Sequence, residues 1–148
     1  MKQFLILIFI SNLLLMSSCH TVKKTASIED APLDVCESMT YTDQQFSNIH
    51  SDYYSLDTVF VVNNCLNIWI SYSGGCGDSE FSLYYTNKVM ESMPPKSNLL
   101  LQLIDNDDCR AIVQQKLFYN LNFFEEYAKK EGITLRFAGI GESVFYKN

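Results

Sequence analysis

Five cysteines, two histidines and a short run of acids are the side chains here best equipped for chemistry. A nucleophilic thiol needs a neighbouring base or positive field to become a thiolate. His50 is the only histidine away from Cys19, and nothing in the spacing brings it to Cys76. Cys76 is therefore expected in a disulfide rather than as a nucleophile. A zinc site fails on spacing, because there is no C-x-x-C and the other histidine, His20, adjoins Cys19. Ser73 fails as a nucleophile because Ser71 stands where G-x-S-x-G requires its first glycine. Asp105-Asn106-Asp107-Asp108 offers oxygen ligands to a hard cation but lacks the glycine and glutamate of an EF-hand loop. It is expected to be a solvated turn. No pair of carboxylates stands out for glycoside hydrolysis. The expectation is no catalytic residue, no metal, no cofactor and, on balance, no enzyme.

The remaining cysteine sits in a different context. Met1 to Ser18 reads as a removable signal, with Lys2 in a short positive start, an apolar stretch to Met16, and small residues before Cys19. Ser11-Asn12 interrupts the apolar run, which argues against a membrane-spanning helix. Met16-Ser17-Ser18-Cys19 resembles the lipobox of bacterial lipoproteins, with Met16 in place of the usual leucine. That resemblance implies cleavage before Cys19 and acylation of its sulfur. Each buried CH₂ contributes about 0.8 kcal/mol to membrane anchoring, so several acyl chains hold stably where one does not. Residues 19–34 have no periodicity and read as a tether reaching ~50 Å when extended. Acids arrive in it only at Glu29-Asp30, which favours a periplasm-facing location in the cell envelope.

Charge excludes other partners. The formal net charge is −6, and removing Lys2 (+1) with the signal gives −7. Such a chain has no electrostatic basis for binding nucleic acid. It presents no basic face to anionic lipid either, so lipid on Cys19 is the expected membrane contact.

Setting Cys19 aside leaves Cys36, Cys65, Cys76 and Cys109, an even set that in an exported domain favours disulfides. Four cysteines allow three connectivities. Cys76–Cys109 with Cys36–Cys65 is the favoured one, because Cys76 and Cys109 each adjoin a Gly- or Asp-rich turn. The other two stay open.

The elements that must position these residues are mostly strands. Leu66, Ile68, Ile70 and Tyr72 alternate with Asn67, Trp69 and Ser71, and this strand breaks at Ser73-Gly74-Gly75 before Cys76. Thr58 to Asn63 precedes it, with Asn63-Asn64 as a hairpin turn. Phe81 to Tyr85, Leu99 to Ile104, Ala111 to Tyr119, Ile133 to Phe137 and Val144 to Tyr146 follow. Met39-Thr40-Tyr41 reads as a short strand, and Met93-Pro94-Pro95 as a rigid extended linker. One helix of about ten residues is expected, capped by Asn122 with Glu125 in the capping-box position and closed by Gly132. The pattern is about seven strands, that of a single antiparallel β-sandwich of immunoglobulin-like size with one short helix near the C-terminus. It occupies residues 35–148 as one domain.

Ile70-Ser71-Tyr72-Ser73-Gly74-Gly75-Cys76, with Phe81 and the later Asp107-Asp108-Cys109-Arg110-Ala111, resembles a set of small, largely uncharacterised bacterial lipoproteins from about Val59 to Tyr146. The resemblance implies the sandwich and the Cys76–Cys109 bridge. It supplies no activity.

The function expected is a binding or interaction module for an envelope protein, peptide or glycan. Trp69, Tyr72, Gly74, Gly75 and Tyr84 form the expected surface, with Trp69 and Tyr84 as a stacking platform. The alternatives are a hydrolase-type enzyme assembled only in the fold, or a secreted inhibitor presenting the Gly74-Gly75-Cys76 turn.

Overall fold

The computed structural model describes residues 35–148. The expected signal segment, Cys19 and the tether lie outside the described residues. The chain forms β1 (Thr40–Tyr41), β2 (Tyr54–Val62), β3 (Cys65–Gly74), β4 (Ser79–Met90), β5 (Lys96–Asp105), β6 (Ala111–Asn120), α1 (Glu125–Lys130), β7 (Ile133–Phe137) and β8 (Ser143–Tyr146). It is a mostly β fold of two sheets. One has the order β2-β3-β6 and the other β1-β4-β5-β7-β8.

β3 is the middle strand of the smaller sheet. Its alternation follows from period-2 burial: Leu66, Ile68 and Ile70 are fully buried, while Trp69 and Ser73 face out. Asn63 and Asn64 take positive φ (50° and 62°), the conformation a two-residue hairpin turn needs, and they join β2 to β3 as expected. The larger sheet lines its inner side with Leu83, Leu99, Leu101, Leu103, Ile133 and Leu135. These join Leu66, Ile68 and Ile70 in one apolar cluster.

Some expectations are corrected. The strands are not all antiparallel, since β1 runs parallel to β4 and β5 parallel to β7. The parallel β5–β7 pair follows from the connection, because β6 and α1 intervene and a return of that length permits the same direction. Met93-Pro94-Pro95 lies within a hairpin connection between β4 and β5, where Met90 pairs with Lys96, and is not an extended linker. The helix is shorter than expected. Asn122 opens a 3₁₀ turn, Asn122–Phe124, and makes no side-chain cap; six helical residues follow. Gly132 does close it, at φ +82° with its N–H donating to the Tyr127 carbonyl.

Packing explains why this short helix holds. Phe124 and Ala128 are fully buried in the common core, and Phe123 stacks on Tyr85 at 4.6 Å. Lys129 reaches Glu125 at 2.9 Å and Glu126 at 3.4 Å on the exposed side of the helix.

Candidate functional site

Two disulfides pin β3 at its two ends. Cys65, the first residue of the strand, bonds Cys36, and Cys76, just past its end, bonds Cys109. The favoured connectivity is the one present. At the Cys65 end, the Glu37 N–H donates to the Phe118 carbonyl and the Asn120 N–H donates to the Glu37 carbonyl. The segment entering at Cys36 is thereby fixed to the edge of β6.

The Cys76 end is a crossover. After β3 the chain passes to β4 in the other sheet, and after β5 it returns to β6 beside β3. Residues 75–78 and 106–110 are those two passages, and Cys76–Cys109 staples them together. Asp107 adds a polar staple. Its carboxylate accepts from the N–H groups of Cys76 (2.7 Å), Gly77 (2.8 Å) and Cys109 (2.6 Å). These donors, led by Cys109, hold its carboxyl below the usual carboxylate range. The expected solvated acidic turn is thus an internally bonded one, with the Asp107 N–H donating to Asp105 and the Asp105 N–H to Asp52. Cys76, Asp107 and Cys109 place possible ligand atoms within 4.8 Å of one another, but both sulfurs are committed to the disulfide.

The five residues expected to form one binding surface do not come together. Tyr72 faces inward, with its hydroxyl 2.8 Å from that of Ser79 and its ring edge-on to Phe81. Gly74 is buried, and a Cβ there would meet the Tyr72 ring at 3.1 Å and Asp107 Oδ2 at 3.3 Å. Gly75 is exposed at φ +113°, where side chains are strained. Tyr84 lies on the outer side of the larger sheet, donating to Gln102. Trp69 lies on the outer side of the smaller sheet and is 40% exposed.

Trp69 has its own surroundings, and strand register supplies them. β2 and β6 flank β3, so the outward-facing cross-strand rows include Phe60–Asn67–Phe118, Thr58–Trp69–Lys116, Ser55–Ser71–Gln114 and, toward the Cys76 end, Ser73–Ile112. A β-bulge between Leu56 and Thr58 inserts Asp57, whose carboxylate accepts from the Ser71 hydroxyl. The Lys116 ammonium lies 4.6 Å from the Trp69 ring centroid, a cation–π contact. Phe60 meets the indole edge-on at 6.1 Å. Asp57, Ser71, Gln114 and Lys116 rim a hollow of about 490 Å³ beside Trp69.

Asp57, Phe60, Gln114, Lys116 and Phe118 were not anticipated. Their period-2 spacing within each strand and the β2–β3 hairpin are readable in the sequence; that β6 is the other neighbour of β3 is not.

The groups whose titration is displaced lie away from this hollow. Burial pushes the Tyr54 hydroxyl up to about 12 and raises Tyr119 and Tyr146, while Glu125 raises Lys129. His50 is exposed beside Asp52 at 3.4 Å.

The site and fold together define a two-sheet, disulfide-stapled, mostly β domain. No protein-family model and no curated protein matches the chain. Among solved structures, a NigD-like immunity protein from Bacteroides caccae superposes with a TM-score of 0.54 at 15% identity, over 74% of this chain and 57% of that one. A protein of unknown function from Bacteroides vulgatus does so at 0.52 and 12%, over 76% of this chain and 57% of its own. The chain therefore spans less than two thirds of either neighbour, and the likeness is one of fold. The two disulfides indicate an oxidising, extracytoplasmic environment. No helix among the described residues is long and apolar enough to cross a membrane.

Proposed function

We propose that this chain is an envelope interaction module, held by acyl chains on Cys19 and facing the periplasm. It engages a protein, peptide or glycan of the envelope through the outer face of the β2-β3-β6 sheet. Its two sheets are read as the leaves of one β-sandwich of immunoglobulin-like size, with residues 1–18 as signal and 19–34 as tether. The observation that carries this reading is the Trp69 platform. A partly exposed indole between Phe60 and Lys116 sits beside a hollow rimmed by Asp57 and Gln114. Aromatic anchors bordered by polar groups are the usual centre of a binding surface. The fold neighbours, including the immunity protein, support the architecture and carry no partner across.

A second reading, an inhibitor presenting a loop, draws on residues 75–78. They are exposed and held by Cys76–Cys109 and by Asp107. One experiment separates the two. A photo-crosslinking residue is placed in the full-length protein at Gln114, at Asp78 or at Ser82, and irradiated in its own envelope. An adduct from Gln114, lost with Trp69→Ala, supports the sheet face. An adduct from Asp78 alone moves the function to the loop. Adducts from Ser82 alone, on the other sheet, overturn both.

A further inference from the structure

The outer face of β2-β3-β6 is complementary to itself, and we propose that its occupant is a second copy of this chain, packed face to face about a two-fold axis along β3. This rests on that face being the interaction surface and names what covers it.

β2 and β6 both run antiparallel to β3, on opposite sides of it, and so run in the same direction as each other. A two-fold axis along β3, lying between two such faces, places β3 over β3. It also lays β2 of each copy over β6 of the other at the same level. Such an axis makes the interface isologous, residue i meeting j and j meeting i. At the level of Asn67, Phe60 meets Phe118 of the second copy, and Phe118 meets its Phe60. One level on, Trp69 meets Trp69.

The charges agree with the aromatics. The cross-strand rows on this face carry one base, Lys116 on β6, and the bulge of β2 adds one acid, Asp57. The axis along β3 brings each Asp57 opposite Gln114 and diagonal to Lys116 of the other copy, making two opposite-charge pairs. The other in-plane two-fold, across the strands at Trp69, sets Lys116 against Lys116 and Asp57 against Phe60. Charge therefore selects the first axis. The whole chain carries a formal net charge of −6. A locally neutral face is where two acidic copies meet with least repulsion.

Size sets the strength. Three strands ~4.8 Å apart and four rows ~7 Å apart give roughly 400 Å² per copy, below the ~800 Å² per partner of a standard interface. The association is weak in free solution and gains from confinement of both copies to one membrane surface.

The test uses the full chain, exported with its disulfides formed and carrying Cys19→Ser so that lipid plays no part. Sedimentation velocity is followed from about 5 to 500 μM alongside emission from Trp69, the only tryptophan. The expected result is a concentration-dependent dimer with a shifted Trp69 emission. Asp57→Lys alone and Lys116→Asp alone each weaken it at least tenfold. An equimolar mixture of those two variants restores it, because both cross-pairs are again of opposite sign. Restoration also shows that both variants are folded.

A chain that stays monomeric throughout overturns the proposal. So does a mixture that fails to associate while each variant keeps the parent melting curve. If the chain is monomeric but a crosslinker at Gln114 captures a different molecule, self-association falls and the interaction face stands. A monomer with no adduct from Gln114 removes both.

Discussion

Asp107 illustrates how one side chain can set the behaviour of a whole end of the molecule. Three backbone N–H groups hold its carboxylate, and its pKa lies below the ordinary 3.8. A group depressed in the folded state contributes stability that is fully present above its unfolded value and is lost as pH falls through its folded one. Asp107→Asn is therefore expected to lower the melting temperature at pH 7 and to flatten the acid limb below about pH 4. Melts from pH 2 to 7 check this, and an unchanged acid limb would refute it. Tyr119 behaves oppositely. Its hydroxyl is buried with no hydrogen-bond partner among the described residues. Tyr119→Phe should be neutral or stabilise by up to ~1 kcal/mol in urea unfolding, because a buried unpaired polar group costs about that much or more. A loss of more than ~1 kcal/mol would mean the hydroxyl has a partner.

At the scale of elements, the turn from α1 into β7 depends on one residue without a side chain. Gly132 takes φ +82°, and a Cβ there would collide with the Phe145 ring on β8. Gly132→Ala is expected to cost about 2–3 kcal/mol, combining left-handed strain with displacement of the ring. Gly132→Ala with Phe145→Ala removes the collision but not the φ strain. The double variant should recover part of the loss, and a double-mutant cycle by urea unfolding measures that coupling. Strict additivity would show that the ring is not in the way.

For the whole molecule, the two bridges join residues 29 and 33 apart in sequence. By loop entropy each contributes about 3–4 kcal/mol. They act at opposite ends of β3, so their effects should differ in kind. Cys36→Ser with Cys65→Ser should free the segment at the edge of β6 and expose it to protease while the sheets persist. Cys76→Ser with Cys109→Ser should loosen both crossovers and lower the melting temperature further, since Asp107 loses the geometry of its donors. Limited proteolysis with thermal melts tests the pair. Equal cleavage patterns for the two variants would contradict it.

Sequence alone determined much of the local structure, because local structure follows local rules. The alternation of Leu66, Ile68 and Ile70 marked β3, Asn63-Asn64 marked its hairpin, and Gly132 marked the end of α1. These depend on backbone preference and on which side of a strand is apolar, both readable within a few residues. An even set of cysteines beside turns was enough to favour a pairing and with it an oxidising environment. Pairing between distant strands was not readable. Nothing local to β3 says that its second neighbour is β6 rather than β4, because alternation gives a strand two faces and does not name its neighbours. That choice decided the site. It put Lys116 over Trp69 and left Tyr84 on the other sheet. It also turned an acidic stretch that reads as a solvated turn into the clasp between two crossovers, since only the fold brings Asp107 to the N–H groups of Cys76 and Gly77.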